Sequence, residues 1–191
     1  MNVVHRIPLA FHTPKADDAI LYAGSAAHDL LIQATLDFRV LRMGSVHRLP
    51  LGDRSVLIAA PLIERDDGAY VALLDDPRPE QRADRDLVEE AIAAAGLAAR
   101  RVSPDEIARE PLATTARVVW RQRHVAVEPG MRIGLLAAFA YEPTMTLHQL
   151  CSRVPGPRDP VFAVMALACE AQLHLDLSKG FDRETLVRGP R

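Results

Sequence analysis

The sequence predicts an α/β (α+β) protein in which a mixed sheet flanked by helices is followed by a small helical module with a β-ribbon. Three observations support this prediction. The first part of the chain has the order helix, strand, hairpin strand, helix, strand; a turn at 154–157 separates two helices near the C-terminus; and the charge changes sign along the chain. We place the boundary after residue 124, which gives predicted domains 1–124 and 125–191.

The first predicted helix is 25–36, where Ser25 is a plausible N-cap. An extended segment at 38–43 and a strand at 55–64 follow. Asp66-Asp67-Gly68 is a strong hairpin turn because glycine adopts positive φ at little cost, and 69–74 returns as a buried central strand. Residues 1–14 show no clear period and are predicted to be irregular.

The second helix is predicted at 84–99. Its apolar side is formed by Leu87, Ala91, Ala94 and Ala95, and its water-facing side by Arg85, Glu89 and Glu90. A short strand at 98–102 comes next. Ser103 then caps a further helix that has proline at its first position.

The C-terminal part contains apolar helical stretches at 118–121 and 130–139. A short helix at 144–151, the turn, a long helix at 158–173 and a β-ribbon formed by 174–177 and 185–188 follow. This order is that of a winged helix-turn-helix.

Composition excludes several classes of protein. The 191 residues are 49% hydrophobic with a formal net charge of -2, which is typical of a globular chain. Two cysteines make no disulfide framework, the N-terminus does not resemble a signal peptide, and no apolar run reaches membrane-spanning length. The sequence therefore predicts a cytoplasmic protein, without a membrane partner, in which Cys151 and Cys169 are buried thiols.

Catalytic and cofactor motifs are also missing from the sequence. It contains no glycine-rich phosphate loop, CxxC pair, HExxH or GxSxG elbow, and its 7 histidines are scattered. We therefore expect no cofactor and no zinc. Residues 51–110 hold 14 acidic and 8 basic side chains, whereas 111–158 hold 6 arginines and 2 glutamates, so the two parts differ in surface charge.

The stretch from about Ser25 to Phe139 resembles the restriction-endonuclease-like domain of TnsA-type transposon endonucleases, and the C-terminal part resembles their winged helix. The family pattern E-x-D-L-L corresponds to 27–31 (AHDLL), its strand opening with Pro-Asp to 60–63 (APLI) before Asp67-Gly68, and V-E-V-K-P to 73–77 (LLDDP). The resemblance implies a Mg²⁺-dependent nuclease fold.

The sequence departs from the family pattern at the positions of the family's catalytic residues. The family's helix glutamate is Ala27 here, its aspartate is Pro61, its strand glutamate is Leu74 and its lysine is Asp76. Metal-dependent hydrolysis needs carboxylates to hold Mg²⁺ and a cation to orient water. We therefore expect no catalytic residues and a fold kept without nuclease activity.

A displaced metal site is the alternative. His28, Asp29, Glu64, Asp75 and Asp76 offer ligands, with Asp29, Asp75 and Asp76 as the candidates. However, Asp75 and Asp76 alternate across a strand end, where only one of the two side chains can point to a given face.

DNA binding is predicted to rest on phosphate contacts, because the candidate recognition helix after Arg158 has no basic residue. The same helix is equally consistent with a buried packing role, or with a protein-docking face formed by an exposed Phe162/Met165/Cys169 stripe. The candidate phosphate-binding residues are Arg121, Arg123, Arg153, Arg158, Lys179, Arg183 and Arg188.

Three hypotheses on function remain open. In the first, the chain is a non-catalytic TnsA-like DNA-associated protein, which acts either as a structural or regulatory subunit of a DNA-processing or mobile-element complex or as a transcriptional regulator. Alternatively it is a protein-interaction scaffold without DNA binding, or a Mg-dependent endonuclease with relocated ligands. The expected partners are DNA and either another protein or a second copy in a homodimer.

Overall fold

The computed structural model describes residues 9–75, 82–154 and 159–190 of the chain. Two compact units are present, and each is described by itself. One unit takes in the described residues of Met1–Leu31 and Arg39–Ala108, and the other takes in those of Ile32–Phe38 and Arg109–Arg191.

The first unit is a four-stranded sheet with helices and a small hairpin. Its elements are β1 (Leu9–Phe11), β2 (Ile20–Tyr22), α1 (Ser25–Leu36, which from Ile32 belongs to the second unit), β3 (Val40–Leu51), β4 (Arg54–Arg65), β5 (Gly68–Leu74), α2 (Arg82–Ala94), β6 (Ala98–Val102) and α3 (Pro104–Ile107).

The sheet order is β3-β4-β5-β6. The first two pairings are antiparallel and β5 pairs with β6 in parallel, so the predicted mixed sheet flanked by helices is confirmed. The predicted hairpin turn is also confirmed: Arg65 lies opposite Gly68, which has a φ of 138°. Strand β5 is internal to the sheet, and Val71 and Ala72 are buried within it.

The core of this unit lies between the sheet and α2. It contains Val46, Val56, Ile58, Ala60, Val71, Ala91 and Ile92. The predicted inner face of α2 is partly wrong, because Leu87, Ala94 and Ala95 are exposed. Val88, Ala91 and Ile92 face the sheet instead, and their i, i+3, i+4 spacing forms one helical stripe. The larger side chains bury more apolar area than alanines do, and this difference sets the rotation of the helix.

Short strands at the N-terminus were not predicted. β1 and β2 form an antiparallel hairpin in which Phe11 and Ile20 are buried. Strand β3 is longer than the predicted extended segment and continues to Leu51. The cap of α3 is as predicted: Ser103 Oγ accepts a hydrogen bond from the backbone N–H of Glu106, and Pro104 opens the helix.

The second unit is helical with a small sheet. After the end of α1 it contains α4 (Leu112–Trp120), α5 (Pro129–Ala137), β7 (Thr144–Thr146), α6 (Leu147–Arg153), α7 (Pro160–Cys169), β8 (His174–Leu175) and β9 (Leu186–Arg188). The sheet order is β7-β9-β8, and both pairings are antiparallel. The ribbon is therefore three-stranded, and 144–146 is a strand where a helix start was predicted.

Helix α7 is the central helix of this unit and contacts α4, α5 and α6. Every residue from Ala163 to Cys169 is buried. The predicted exposed stripe is therefore wrong: Met165 is 5% and Cys169 is 4% exposed, and only Phe162, at 50%, faces outward. Helices α4, α5 and α6 cover the apolar surface of α7, whose packing partners the sequence did not predict.

The boundary between the two units differs from the predicted one after residue 124, since it falls at Ala108 and Arg109. Helix α4 belongs to the second unit because it packs on α7, where the Cys169 thiol donates to the carbonyl oxygen of Val119 at 3.4 Å. The turn predicted at 154–157 lies largely outside the described residues.

Candidate functional site

The candidate site of the first unit is a cavity formed where two strands part. The paired register of β4 and β5 ends at Leu62 opposite Val71, whereas β5 stays paired with β6 as far as Leu74 opposite Val102. On its other side β4 remains paired with β3, with a register shift between Val46 and Arg48. Bulges of this kind bend a strand and occur often beside active sites.

A cavity of about 550 Å³ opens in the gap between β4 and β5. Its walls come from the two parting strands, from β2 and the first turn of α1, from α2 and from β6. The lining residues are Leu21, Tyr22, Ala23, Ala27, Leu57, Ile58, Ala59, Ala60, Pro61, Ala72, Leu73, Leu74, Asp75, Arg85, Val88, Glu89 and Arg101.

The structure brings together three of the four positions at which the sequence departs from the nuclease pattern. Ala27, Pro61 and Leu74 all line this cavity. Leu62 and Leu73 pack on the core with α2, so their strand neighbours Pro61 and Leu74 lie on the opposite face of the sheet. The fourth position, Asp76, lies outside the described residues.

The charged groups of the cavity centre on Arg101. Its Nε donates to Glu89 Oε1 at 2.6 Å, and its Nη1 lies 3.7 Å from Asp75 Oδ1. The hydrogen bond to Glu89 and, to a smaller extent, the charge of Asp75 raise the pKa of Arg101 above its ordinary value. Both carboxylates are therefore engaged by a guanidinium group that stays charged.

The remaining metal candidates lie apart from one another. His28 stacks on Tyr22 with ring centroids 5.3 Å apart, and Glu64 lines a separate cavity of about 460 Å³ together with Asp17 and Asp18. Asp29 is on α1 but does not line either cavity. Within residues 9–75, 82–154 and 159–190, no group of three His, Cys, Asp or Glu side chains is placed to hold a metal ion.

Sequence reasoning assigned Arg85 and Glu89 to the water-facing side of α2, and this is wrong. Both are half-buried and line the cavity. The signal that would have found them is the helical stripe of Val88 and Ile92, because a helix with these residues inside turns Arg85 and Glu89 toward the sheet edge. Tyr22 and Arg101 were also missed.

Most of the candidate phosphate-binding residues are on the surface of the second unit. Arg121, Lys179 and Arg183 are exposed. Arg158 lies outside the described residues. The other three have intramolecular contacts: Arg123 lies over the Trp120 ring, Arg153 pairs with Glu142 at 2.5 Å, and Arg188 lies 4.2 Å from the centroid of Phe38.

Helix α7 offers little to a nucleic acid. Its exposed N-terminal end presents Asp159, which caps the helix by accepting from the N–H of Val161, and the ring of Phe162. At the other end, Glu170 and Gln172 both accept hydrogen bonds from Arg132. The side chains from Ala163 to Cys169 are buried, so the helix cannot lie along a major groove without unpacking the unit.

The fold and cavity define an α+β protein with a mixed sheet and an apolar cleft crossed by one arginine–carboxylate network. No protein-family model matches the chain, and a search of curated proteins found no match. Among the described helices, none combines the length and the apolar character needed to cross a membrane.

Proposed function

We propose that the chain is a catalytically inactive relative of the TnsA-like endonucleases and acts as a non-catalytic, DNA-associated structural or regulatory subunit. The observation that carries this proposal is that Ala27, Pro61 and Leu74, three positions separated in sequence, line one cavity between parting strands. Pro61 and Leu74 lie on the neighbouring strands β4 and β5, so the addition of Ala27 from α1 is the part of this arrangement that supports the proposal.

The order of elements supports the proposed restriction-endonuclease-like fold. A helix, three antiparallel strands, a helix and a parallel strand follow one another from α1 to β6. In the second unit, α5, β7, α6, α7, β8 and β9 have the helix, strand, helix, helix, strand, strand order of a winged helix, and β7 joins the ribbon through β9.

The side chains at the three positions argue against catalysis. A methyl group, a pyrrolidine ring and an isobutyl group provide no oxygen for Mg²⁺, which binds through carboxylates and water in octahedral geometry. The carboxylates that remain, Glu89 and Asp75, face Arg101. We therefore expect no cleavage of plasmid DNA in Mg²⁺ or Mn²⁺. Cleavage that Asp76→Ala abolishes would instead establish a nuclease with relocated ligands.

Restoring the carboxylates tests the ancestry directly. A double variant carrying Pro61→Asp and Leu74→Glu places two carboxylates at the cavity, and we expect it to bind Mn²⁺ in calorimetric titration where the parent chain does not. The control variant carries Ser55→Asp and Ala69→Glu, two exposed positions on the same strands outside the cavity. Equal Mn²⁺ affinity in the two variants would contradict the proposal, provided that circular dichroism finds both folded.

DNA association through this chain is proposed to use phosphate contacts without base reading. Arg121, Lys179 and Arg183 supply exposed cations, whereas α7 supplies none. Binding to duplex DNA should therefore weaken steeply between about 50 and 200 mM salt. Replacing these three residues by alanine should abolish a gel shift, and Arg100→Ala, an exposed arginine of the first unit, should leave it unchanged. A salt-independent shift would refute phosphate contacts.

A second candidate function, a protein-interaction scaffold without DNA binding, is favoured by one observation. The outward end of α7 presents an aromatic ring, Phe162, beside the acidic Asp159. If this end makes a homodimer, Phe162→Asp should convert it to a monomer in size exclusion with light scattering. Association that depends on Phe162 together with no DNA binding would favour the scaffold.

The proposed compartment is the cytoplasm, in keeping with the free thiols of Cys151 and Cys169.

A further inference from the structure

We propose that the cavity between β4 and β5 binds a small amphipathic monoanion, a carboxylate with a short apolar chain, whose headgroup pairs with Arg85. This inference goes beyond the proposed function and does not depend on the ancestry of the fold. It rests on three features of the cavity: a cation with no partner in the described part of the chain, carboxylates that are already engaged, and an apolar wall.

Arg85 is the cation. A guanidinium group carries five N–H donors and keeps its charge. Nη2 of Arg85 is buried and, within the described part of the chain, donates no hydrogen bond. Burying a charged donor without a hydrogen bond is costly, because the group loses its water and gains nothing in return. Arg85 also lines the cavity, so the carboxylate of an anion bound there would pair with the part of the guanidinium group that faces the cavity.

The other charges of the cavity do not supply it. Glu89 and Asp75 line the same cavity, but Arg101 lies 2.6 Å from the first and 3.7 Å from the second. Arg101 is thus shared between two carboxylates, whereas Arg85 pairs with none among the described residues. Arginine and carboxylate groups match in geometry and form two parallel hydrogen bonds, so a carboxylate is the headgroup that fits best.

The apolar side chains that line the cavity indicate a ligand with an apolar part. Leu57, Pro61, Leu73 and Val88 line the cavity, and Leu57 is 73% exposed although it belongs to a strand of the sheet. A ligand with an apolar chain would remove this surface from water, which is favourable in proportion to the area covered. The volume of about 550 Å³ lies within the range of ordinary small-molecule sites.

Octanoate is a suitable probe, and octan-1-ol is its uncharged control. In calorimetric titrations of the full chain at pH 7, we expect octanoate to bind with a dissociation constant below about 1 mM and octan-1-ol to bind at least about tenfold more weakly. Arg85→Met keeps the unbranched stem and removes the charge, so it should weaken octanoate binding by about tenfold or more. Arg100→Met is the matched control, because Arg100 pairs with Glu106 outside the cavity, and it should leave binding unchanged.

A second variant tests the place without changing the charge. Leu74→Trp fills the cavity from the strand and leaves Arg85 intact, so it should also abolish octanoate binding. This variant keeps the proposal testable if Arg85→Met does not fold. The proposal is overturned if the parent chain binds no octanoate at 10 mM, if octan-1-ol binds as tightly, or if the folded variants bind octanoate as the parent does.

Discussion

Helix α7 is a core element of the second unit, and replacing its single leucine tests that role. Leu167 is fully buried. Leu167→Ala removes the side chain from a packed core and leaves a cavity, which should lower the free energy of unfolding by about 3 to 4 kcal/mol. Phe162→Ala is the control on the same helix. Its ring is 50% exposed, so its loss should cost about 1 kcal/mol or less.

Urea denaturation followed by tryptophan fluorescence measures the change in unfolding free energy of both variants, and its signal comes from the second unit. Trp120 is the single tryptophan of the chain and lies on α4, which packs on α7. The midpoint should shift strongly for Leu167→Ala at an unchanged slope and slightly for Phe162→Ala. A cost below about 1 kcal/mol for Leu167→Ala, or equal costs for the two variants, would refute the assignment of α7 to the core and reopen its use as a recognition helix.

Three further predictions concern single residues. Burial raises the pKa of Cys169 to about 12, so at pH 8 its thiol should resist Ellman's reagent until denaturant is added; rapid labelling of the folded chain at Cys169 would contradict this. Hydrogen bonds from Ser178 lower the pKa of Asp176, so the stability that this carboxylate contributes is present above the ordinary pKa of 3.8 and is lost as pH falls through the lower native pKa. Asp176→Asn should therefore reduce the loss of unfolding free energy at acid pH, and an unchanged acid dependence counts against this contribution. Gly68→Ala should destabilise by about 1 to 2 kcal/mol because φ is 138° there, whereas Gly44→Ala, in open space at an ordinary φ, should be neutral within about 0.5 kcal/mol; similar melting temperatures for both variants would contradict this.

The elements that the sequence predicted well are those whose ends carry local chemistry. Gly68 marks the hairpin and Ser103 with Pro104 marks the start of α3, because a positive φ or a capping oxygen is decided within a few residues. Strands β1 and β2 have only 3 residues each, too few to display a period of two, and their pairing is set by each other.

The predicted helix at 144–151 illustrates a second limit. The capping box belongs to Thr146 and Gln149, so the helix begins at Leu147. The preceding residues are free to form β7, and they do so because β9 lies beside them, 40 to 44 residues further along the chain. Pairing between distant segments leaves no mark in the local sequence, and Thr146 is both the last residue of β7 and the cap of α6.

The residues of the candidate site likewise include some that the sequence predicted and some that it did not. Ala27, Pro61 and Leu74 were found by resemblance, since each stands at a fixed place in a longer pattern. Arg85 was missed because the alanines of α2 suggested an inner face that the larger Val88 and Ile92 do not share. The location of a cleft follows from backbone order, but the side chains that fill it depend on the rotation of one helix.

The parting of β4 from β5 is a property of the main chain. Before Leu62, β4 stays paired with β3, and after Val71, β5 stays paired with β6. Small substitutions in its lining can therefore change the polarity of the opening without re-pairing the strands, whereas a side chain as large as tryptophan at position 74 would fill it. The space between these strands is kept by backbone hydrogen bonds, so its chemistry can be altered one side chain at a time.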